Sequence, residues 1–231
     1  MNRRTRYFVT ATVGLGACLV AASLFQVAAA GISPAFGLAL LLALLSSTLK
    51  VRLPGITGTM SVNFLFILMA VALLPLAETV LLAAAAGLVQ CLWRSRTRAK
   101  LVQVSFNAAA LAISAGAAYV LAHCIAGPEA AHIEALLALA ATVYFAADTL
   151  LVSGVLSLVQ SKPFLAVWQQ CYLWSFPYYL AGAAMAGLTV EINRAQGWIL
   201  SLLALTPMAF IYLFYRLCVE RWEKRSVAAA L

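Results

Sequence analysis

The amino-acid sequence predicts an all-α, polytopic transmembrane bundle of about eight spanning segments (six to eight), with both termini cytoplasmic. Three observations carry this prediction. Hydrophobic residues fill 65% of 231 positions, and mean hydropathy is +1.00. Only 10% of residues are charged, against about 25% in an average soluble domain, too few to cover one water-soluble core of this size. The charges also fall in short segments between long apolar stretches. Lipid is therefore the main solvent, which excludes most soluble enzymes, disordered chains and secreted disulfide scaffolds. Backbone groups in hydrocarbon must be satisfied within their own segment, so each spanning stretch reads as a helix.

A spanning helix needs roughly 17–25 mostly apolar residues. The first stretch runs from Tyr7 to Ala30 and the second from Pro34 to Leu49. The third covers Ser61 to Leu74 and the fourth Ala77 to Trp93. Both are short, and Leu74-Pro75-Leu76-Ala77-Glu78 breaks the chain between them, so residues 61–93 read as two crossings or as one re-entrant pair. The fifth covers Leu101 to Ala122, the sixth Ile133 to Val159, the seventh Tyr172 to Ile192 and the eighth Trp198 to Val219. Residues 1–231 form a single integral membrane domain, and residues 220–231 form a short cytoplasmic tail. The basic start and Ala28-Ala29-Ala30 resemble a signal peptide, and Leu15-Gly16-Ala17-Cys18 approaches a lipobox. The apolar stretch exceeds the about 7–15 residues of a signal core, which favours a retained first span.

Orientation follows from Lys and Arg near the span ends. With the N-terminus inside, fourteen of the fifteen basic residues lie in cytoplasmic segments, and Arg194 is the exception. Glu78, Glu129, Glu134 and Glu191 fall outside or at the outer face. The net charge of +8 is then an orientation signal and not a nucleic-acid footprint. Tyr7, Trp93, Trp168, Tyr215 and Trp222 mark the inner boundary and Tyr119 and Trp198 the outer one, as interfacial aromatic anchors do. The placement is a multi-pass protein of the bacterial inner membrane.

Five cysteines (Cys18, Cys91, Cys124, Cys171 and Cys218) form no CxxC pair, and read as small buried hydrophobes. His123 and His132 flank a loop with Glu129 and Glu134 nearby, but the spacing matches no zinc pattern and reads as a solvated loop. No phosphate-binding, nucleophile-elbow or metalloprotease motif occurs. The expectation is a non-enzyme with no cofactor and no metal.

Ionisable and amide groups inside spans are costly in lipid, so they are functional candidates. Asp148 is the single aspartate and sits near the middle of the sixth span. Tyr144, four residues earlier, shares its face, and Ser153 and Ser157 lie near that side. Gln103 and Asn107, also four apart, come from the fifth span, Asn63 from the third and Gln90 from the fourth. The competing interpretation is interhelical hydrogen bonding, worth about 0.6–2 kcal/mol per bond. The loop Val51-Arg52-Leu53-Pro54-Gly55-Ile56-Thr57-Gly58-Thr59-Met60-Ser61 is either a pocket edge or a tight cytoplasmic turn. Thr57 and Thr59 offer hydroxyls there, and Ser61 is placed to cap the third helix. Ala83/Gly87, Ala112/Gly116, Gly182/Ala186 and Ala183/Gly187 are small pairs at helical spacing that permit close packing. Pro177 and Pro207 fall inside spans, where proline bends helices.

The run from Val51 through Ser61 to Phe64, the hairpin at Pro75-Leu76-Ala77-Glu78-Thr79, the basic loop after Trp93, Leu101 through Asn107, and Tyr212 through Arg216 together resemble a family. It is the N-terminal membrane region that precedes GGDEF or HD-GYP output domains in bacterial signalling proteins, and the likeness covers roughly residues 34–220. That region is similar in style to vitamin-binding S components of energy-coupling-factor transporters. The resemblance implies ligand sensing at the membrane, with an output partner where the signalling proteins carry an output domain.

The expected function is a sensor or ligand-binding module for a small molecule, in which Asp148, Asn107, Gln103, Asn63, Tyr144, Thr57 and Thr59 contact the ligand. The expected partners are the lipid bilayer, a small-molecule ligand and a membrane or cytoplasmic signalling or transport protein, with no nucleic acid. The alternatives are an S component of a vitamin transporter and a structural membrane protein without ligand.

Overall fold

A computed structural model describes residues 2–52, 59–93, 100–127, 133–171 and 176–196, with positions 213 and 217 also helical. Helix α1 (Arg3–Ala30) ends at Gly31, whose φ of 84° suits a residue without Cβ. Helix α2 (Pro34–Ser47) begins with proline at its first position, where the missing N–H costs nothing. Strands β1 (Lys50–Arg52) and β2 (Thr59–Ser61) form a short antiparallel ribbon, with Lys50 opposite Ser61 and Arg52 opposite Thr59. Helices α3 (Asn63–Leu73) and α4 (Leu76–Leu92) follow, parted at Leu74-Pro75. Helices α5 (Leu101–Ala126) and α6 (Ile133–Gln160) are long. A short α7 (Phe164–Cys171) and then α8 (Phe176–Gln196) complete the described helices.

Among the described residues three helices are long and apolar enough to cross a membrane: α1, α5 and α6, of 28, 26 and 28 residues. At 1.5 Å per residue each reaches about 40 Å, beyond the roughly 30 Å of a bilayer core. Helices α2, α3 and α4 are apolar but shorter, with 14, 11 and 17 residues.

The surface of α1 reveals the solvent. Its buried stripe is Thr5, Val9, Thr12, Gly16 and Ser23, while Leu15, Leu24 and Phe25 are exposed. Small and weakly polar residues turn inward and large hydrophobic ones outward, the pattern of a helix packed against protein on one side and lipid on the other. Leu38, Leu41, Leu45, Val120, Leu121 and Ile125 continue this outward apolar surface. By contrast α3 is buried around its whole circumference, from Asn63 through Leu68 and at Ala70 and Val71. A helix apolar all round belongs at the centre of a bundle. Helices α2, α4, α6 and α8 pack against it, and the Phe64 ring lies 4.7 Å from that of Tyr179.

The small pairs lie inside the bundle, as their spacing predicted. Ala83, Gly87, Ala112, Gly116, Ala183 and Gly187 are all buried. Two glycines let backbones cross closely: a Cβ on Gly16 would lie 2.6 Å from Ala109 Cα, and one on Gly87 would lie 2.9 Å from Ala108 Cα.

Several expectations change. The seventh segment, read as Tyr172–Ile192, corresponds to α8, Phe176–Gln196, and a separate short helix, α7, ends before it at Cys171. Its interrupted apolar pattern hid α7, which is only 8 residues long. Pro177 is the second residue of α8, where proline starts a helix and does not bend one. Ser61 does not cap α3; Val62 precedes that helix, and the Ser61 hydroxyl bonds Gln90 instead. Cys18 and Cys124 are exposed, not buried, because a thiol loses little by facing lipid as apolar as the core. The eighth span falls outside the described residues except at Leu213 and Leu217.

Candidate functional site

The polar groups divide among the two ends of the bundle and its middle. At one end, Thr5 Oγ1 donates to the Leu158 carbonyl at 3.3 Å, which sets the start of α1 beside the end of α6. Lys50 Nζ donates to the Trp93 carbonyl at 2.5 Å, tying the ribbon to the end of α4. Partial burial holds the Lys50 ammonium below the usual lysine range, an effect that the nearby Cys91 opposes. Arg3, Arg4, Arg6, Lys100 and Lys162 are exposed on the segments that converge here.

Below the ribbon, Asn63 Nδ2 donates to Gln90 Oε1 at 3.0 Å, and Ser61 Oγ donates to the same oxygen at 3.2 Å. Ser61 and Asn63 are both buried. The cluster joins the ribbon, α3 and α4. The two amides of α5 do other work. Gln103 is exposed, and its Oε1 accepts from the Lys100 backbone N–H at 3.1 Å, tying the first turn of α5 to the residue before it. Asn107 Nδ2 donates to the Gly87 carbonyl at 2.8 Å and locks α5 to α4 at their closest approach. Thr59 lies on β2 opposite Arg52, and Thr57 lies outside the described residues.

At the opposite end, sequence reasoning treated Glu78 only as an outer charge. It is buried, and its carboxylate accepts from the Ser33 backbone N–H at 2.6 Å and the Ser33 hydroxyl at 2.5 Å. Ser33 precedes α2 and Glu78 lies in the first turn of α4, so one carboxylate binds two helix starts and meets the positive end of each helix dipole. Glu134 and Glu191 are exposed on the segments that reach this end. His123 stacks on Tyr119, with ring centroids 4.1 Å apart. His132 and Glu129 lie outside the described residues.

The middle of the bundle holds Asp148. Its Oδ1 is buried and has no hydrogen-bond partner among the described residues. The same is true of the Ser153 hydroxyl on α6 and the Ser114 hydroxyl on α5. On the helical wheel Asp148 lies between Tyr144 and Phe145, both buried. Those two rings face α8: Tyr144 and Tyr179 are 6.2 Å apart, Phe145 and Tyr179 are 5.1 Å apart, and Phe145 and Phe176 are 5.0 Å apart. The residue after Asp148, Thr149, accepts a 3.0 Å hydrogen bond from Trp168 Nε1 on α7. Trp168 thus packs beside the middle of α6 and does not serve there as a boundary anchor. Asp148 stands at the level where α7 ends and α8 begins.

Of the seven residues expected to share a site, the structure sets Asp148 and Tyr144 on one face of α6. It gives Asn63, Asn107 and Gln103 separate partners elsewhere. The aromatic groups from α7 and α8 went unrecognised in the sequence. The run Phe176, Tyr178, Tyr179 is a usable signal only once α8 is known to start at Phe176.

No curated protein and no solved structure matches the chain. One family model, MASE9, a family of membrane-associated sensor domains, matches residues 19–186. That match covers well over half of the sequence, and the chain belongs to the MASE9 family of membrane-associated sensor domains.

Proposed function

We propose that this chain is a multi-pass inner-membrane sensor that binds a small molecule at Asp148 and passes the occupancy of that site to a signalling partner. One observation carries the proposal: Asp148 Oδ1 is buried in an apolar bundle with no hydrogen-bond partner among the described residues. A carboxylate in that setting costs several kcal/mol unless another group satisfies it. A ligand that does so gains affinity from the same cost. The site is also well placed to report. Asp148 sits on α6, whose far end meets the start of α1 through Thr5 and Leu158, and α6 packs against α7 and α8, whose movement against it would report occupancy. Membership of a sensor family supports this reading, and so does the resemblance to membrane regions that precede GGDEF or HD-GYP domains.

The test is native mass spectrometry of the full chain, purified in mild detergent. A small molecule should leave with the wild-type protein and be missing from Asp148→Asn. A chain that carries nothing across several growth conditions, or an Asp148→Asn variant that keeps the same molecule, would leave the polar groups as helix glue only.

A further inference from the structure

We propose that the ligand of the Asp148 site is an organic cation, an amine or quaternary ammonium group held between the carboxylate and the rings of Tyr144, Phe145, Trp168, Phe176 and Tyr179. The proposal rests on the reading of Asp148 as a ligand site and names the chemical class that site selects.

The composition of the surroundings carries the inference. An anion or a neutral hydrogen-bond acceptor would meet the Asp148 carboxylate, which offers no donor when ionised. A hard metal ion needs several oxygen ligands around it. The two rings that flank Asp148 on α6 meet aromatic surface of α8 instead: Phe176 and Tyr179 pack on Phe145 at 5.0 and 5.1 Å, and Tyr179 lies 6.2 Å from Tyr144. Ring faces attract cations through their quadrupole, most strongly where water is excluded, and quaternary ammonium groups are the ligands best suited to such rings. Trp168 is the strongest ring of this kind, and its N–H is already fixed on Thr149 Oγ1. That bond holds the indole beside the residue next to Asp148.

The six cations whose side chains the structure describes lie away from Asp148. Arg3, Arg4, Arg6, Lys100 and Lys162 are exposed at the ribbon end, and the Lys50 ammonium is bonded to the Trp93 carbonyl there. From Asp148 to the end of α6 at Gln160 is about 18 Å along the helix axis. Asp148 and the nearby rings therefore combine the two recognition elements of an ammonium site, a carboxylate with a buried, unpartnered oxygen and several π faces, on three different helices.

The experiment is isothermal titration calorimetry of the full chain in detergent, with tetramethylammonium chloride against tert-butanol, a neutral molecule of similar shape. The expected result is saturable binding of tetramethylammonium and none of tert-butanol. Asp148→Asn should weaken tetramethylammonium at least ten-fold, and Phe176→Leu should weaken it several-fold. Equal binding of the two probes, no saturable binding of tetramethylammonium, or undiminished binding by Asp148→Asn would overturn the proposal. Should Asp148→Asn fail to fold, Phe176→Leu and the pair of probes still decide. A neutral molecule that leaves with the wild type and is lost from Asp148→Asn in mass spectrometry would overturn the cation while keeping the ligand site.

Discussion

A methyl group on Gly87 would lie 2.9 Å from Ala108 Cα and 3.1 Å from the Asn107 carbonyl oxygen. Both obstacles are backbone, so relief requires α4 and α5 to separate. Separation would also stretch the 2.8 Å bond from Asn107 Nδ2 to the Gly87 carbonyl. Gly87→Ala should therefore cost about 1–3 kcal/mol, the usual range for overpacking a tight core. Gly37→Ala, where nothing lies within 4 Å of the added carbon, should be neutral or stabilising. Melting temperatures of the two variants in the same detergent check this, and equal values would remove the backbone-contact argument. Asn107 and its neighbour Gln103 show what the sequence could and could not say about the site. Gln103 and Asn107 lie four apart, which puts them on one helix face, and from spacing alone they read as two walls of a pocket. Spacing does not reveal that Gln103 falls in the first turn of α5, where an unpaired backbone N–H competes for its side chain. Nor does it reveal which backbone carbonyl lies opposite Asn107. Asp148 was legible because one acid in an apolar span stands out by cost alone.

At the scale of helices, hydropathy placed most elements within a few residues of where they lie, because apolar runs end where charges begin. Pro34, Leu101 and Ile133 open α2, α5 and α6 as read from the sequence. It failed for α7, whose 8 residues are too few to form a spanning pattern and carry Gln169 and Gln170 near their end. It also failed for the ribbon, since three-residue strands leave no usable alternation. What holds α7 in the bundle is the Trp168 bond to Thr149, together with buried Val167. Thr149 is itself buried and donates to the Phe145 carbonyl at 2.6 Å. Thr149→Val keeps the shape of the residue and removes the acceptor, leaving the Trp168 N–H without its partner, at about 1–3 kcal/mol. That cost falls on α7 and not on the α4–α5 crossing. Hydrogen exchange should therefore rise over residues 164–171 in Thr149→Val and stay unchanged over residues 101–126. Equal protection of α7 in both proteins would show that Val167 and its neighbours suffice.

For the whole molecule the question is which end faces which compartment. The described cations of α1, the ribbon and the segments around Lys100 and Lys162 gather at one end of the bundle, and Glu78, Glu134 and Glu191 lie toward the other. Contacts between helix ends place them so, independently of any count of spans. Arg and Lys near span ends stay on the cytoplasmic side of bacterial membranes, so the ribbon end should face the cytoplasm and the Ser33–Glu78 end the exterior. Four positions lie just outside helices: Gly31 and Gly127 toward one end, where a cysteine meets no atom within 4 Å but carries the strain of a positive φ, and Lys100 and Lys162 toward the other. In a background whose native cysteines are replaced, single variants Gly31→Cys and Gly127→Cys should react with a membrane-impermeant maleimide in cells whose inner membrane is intact. Lys100→Cys and Lys162→Cys should react only after that membrane is opened. The reverse pattern would turn the molecule over. A mixed pattern, with Gly31 and Gly127 labelled from different sides, would mean that the helices between them do not return the chain to the face it left. An odd number of crossings between those residues would then replace the hairpin pairing that the Ser33–Glu78 bond suggests, and the Asp148 site would have to be assigned afresh to one side.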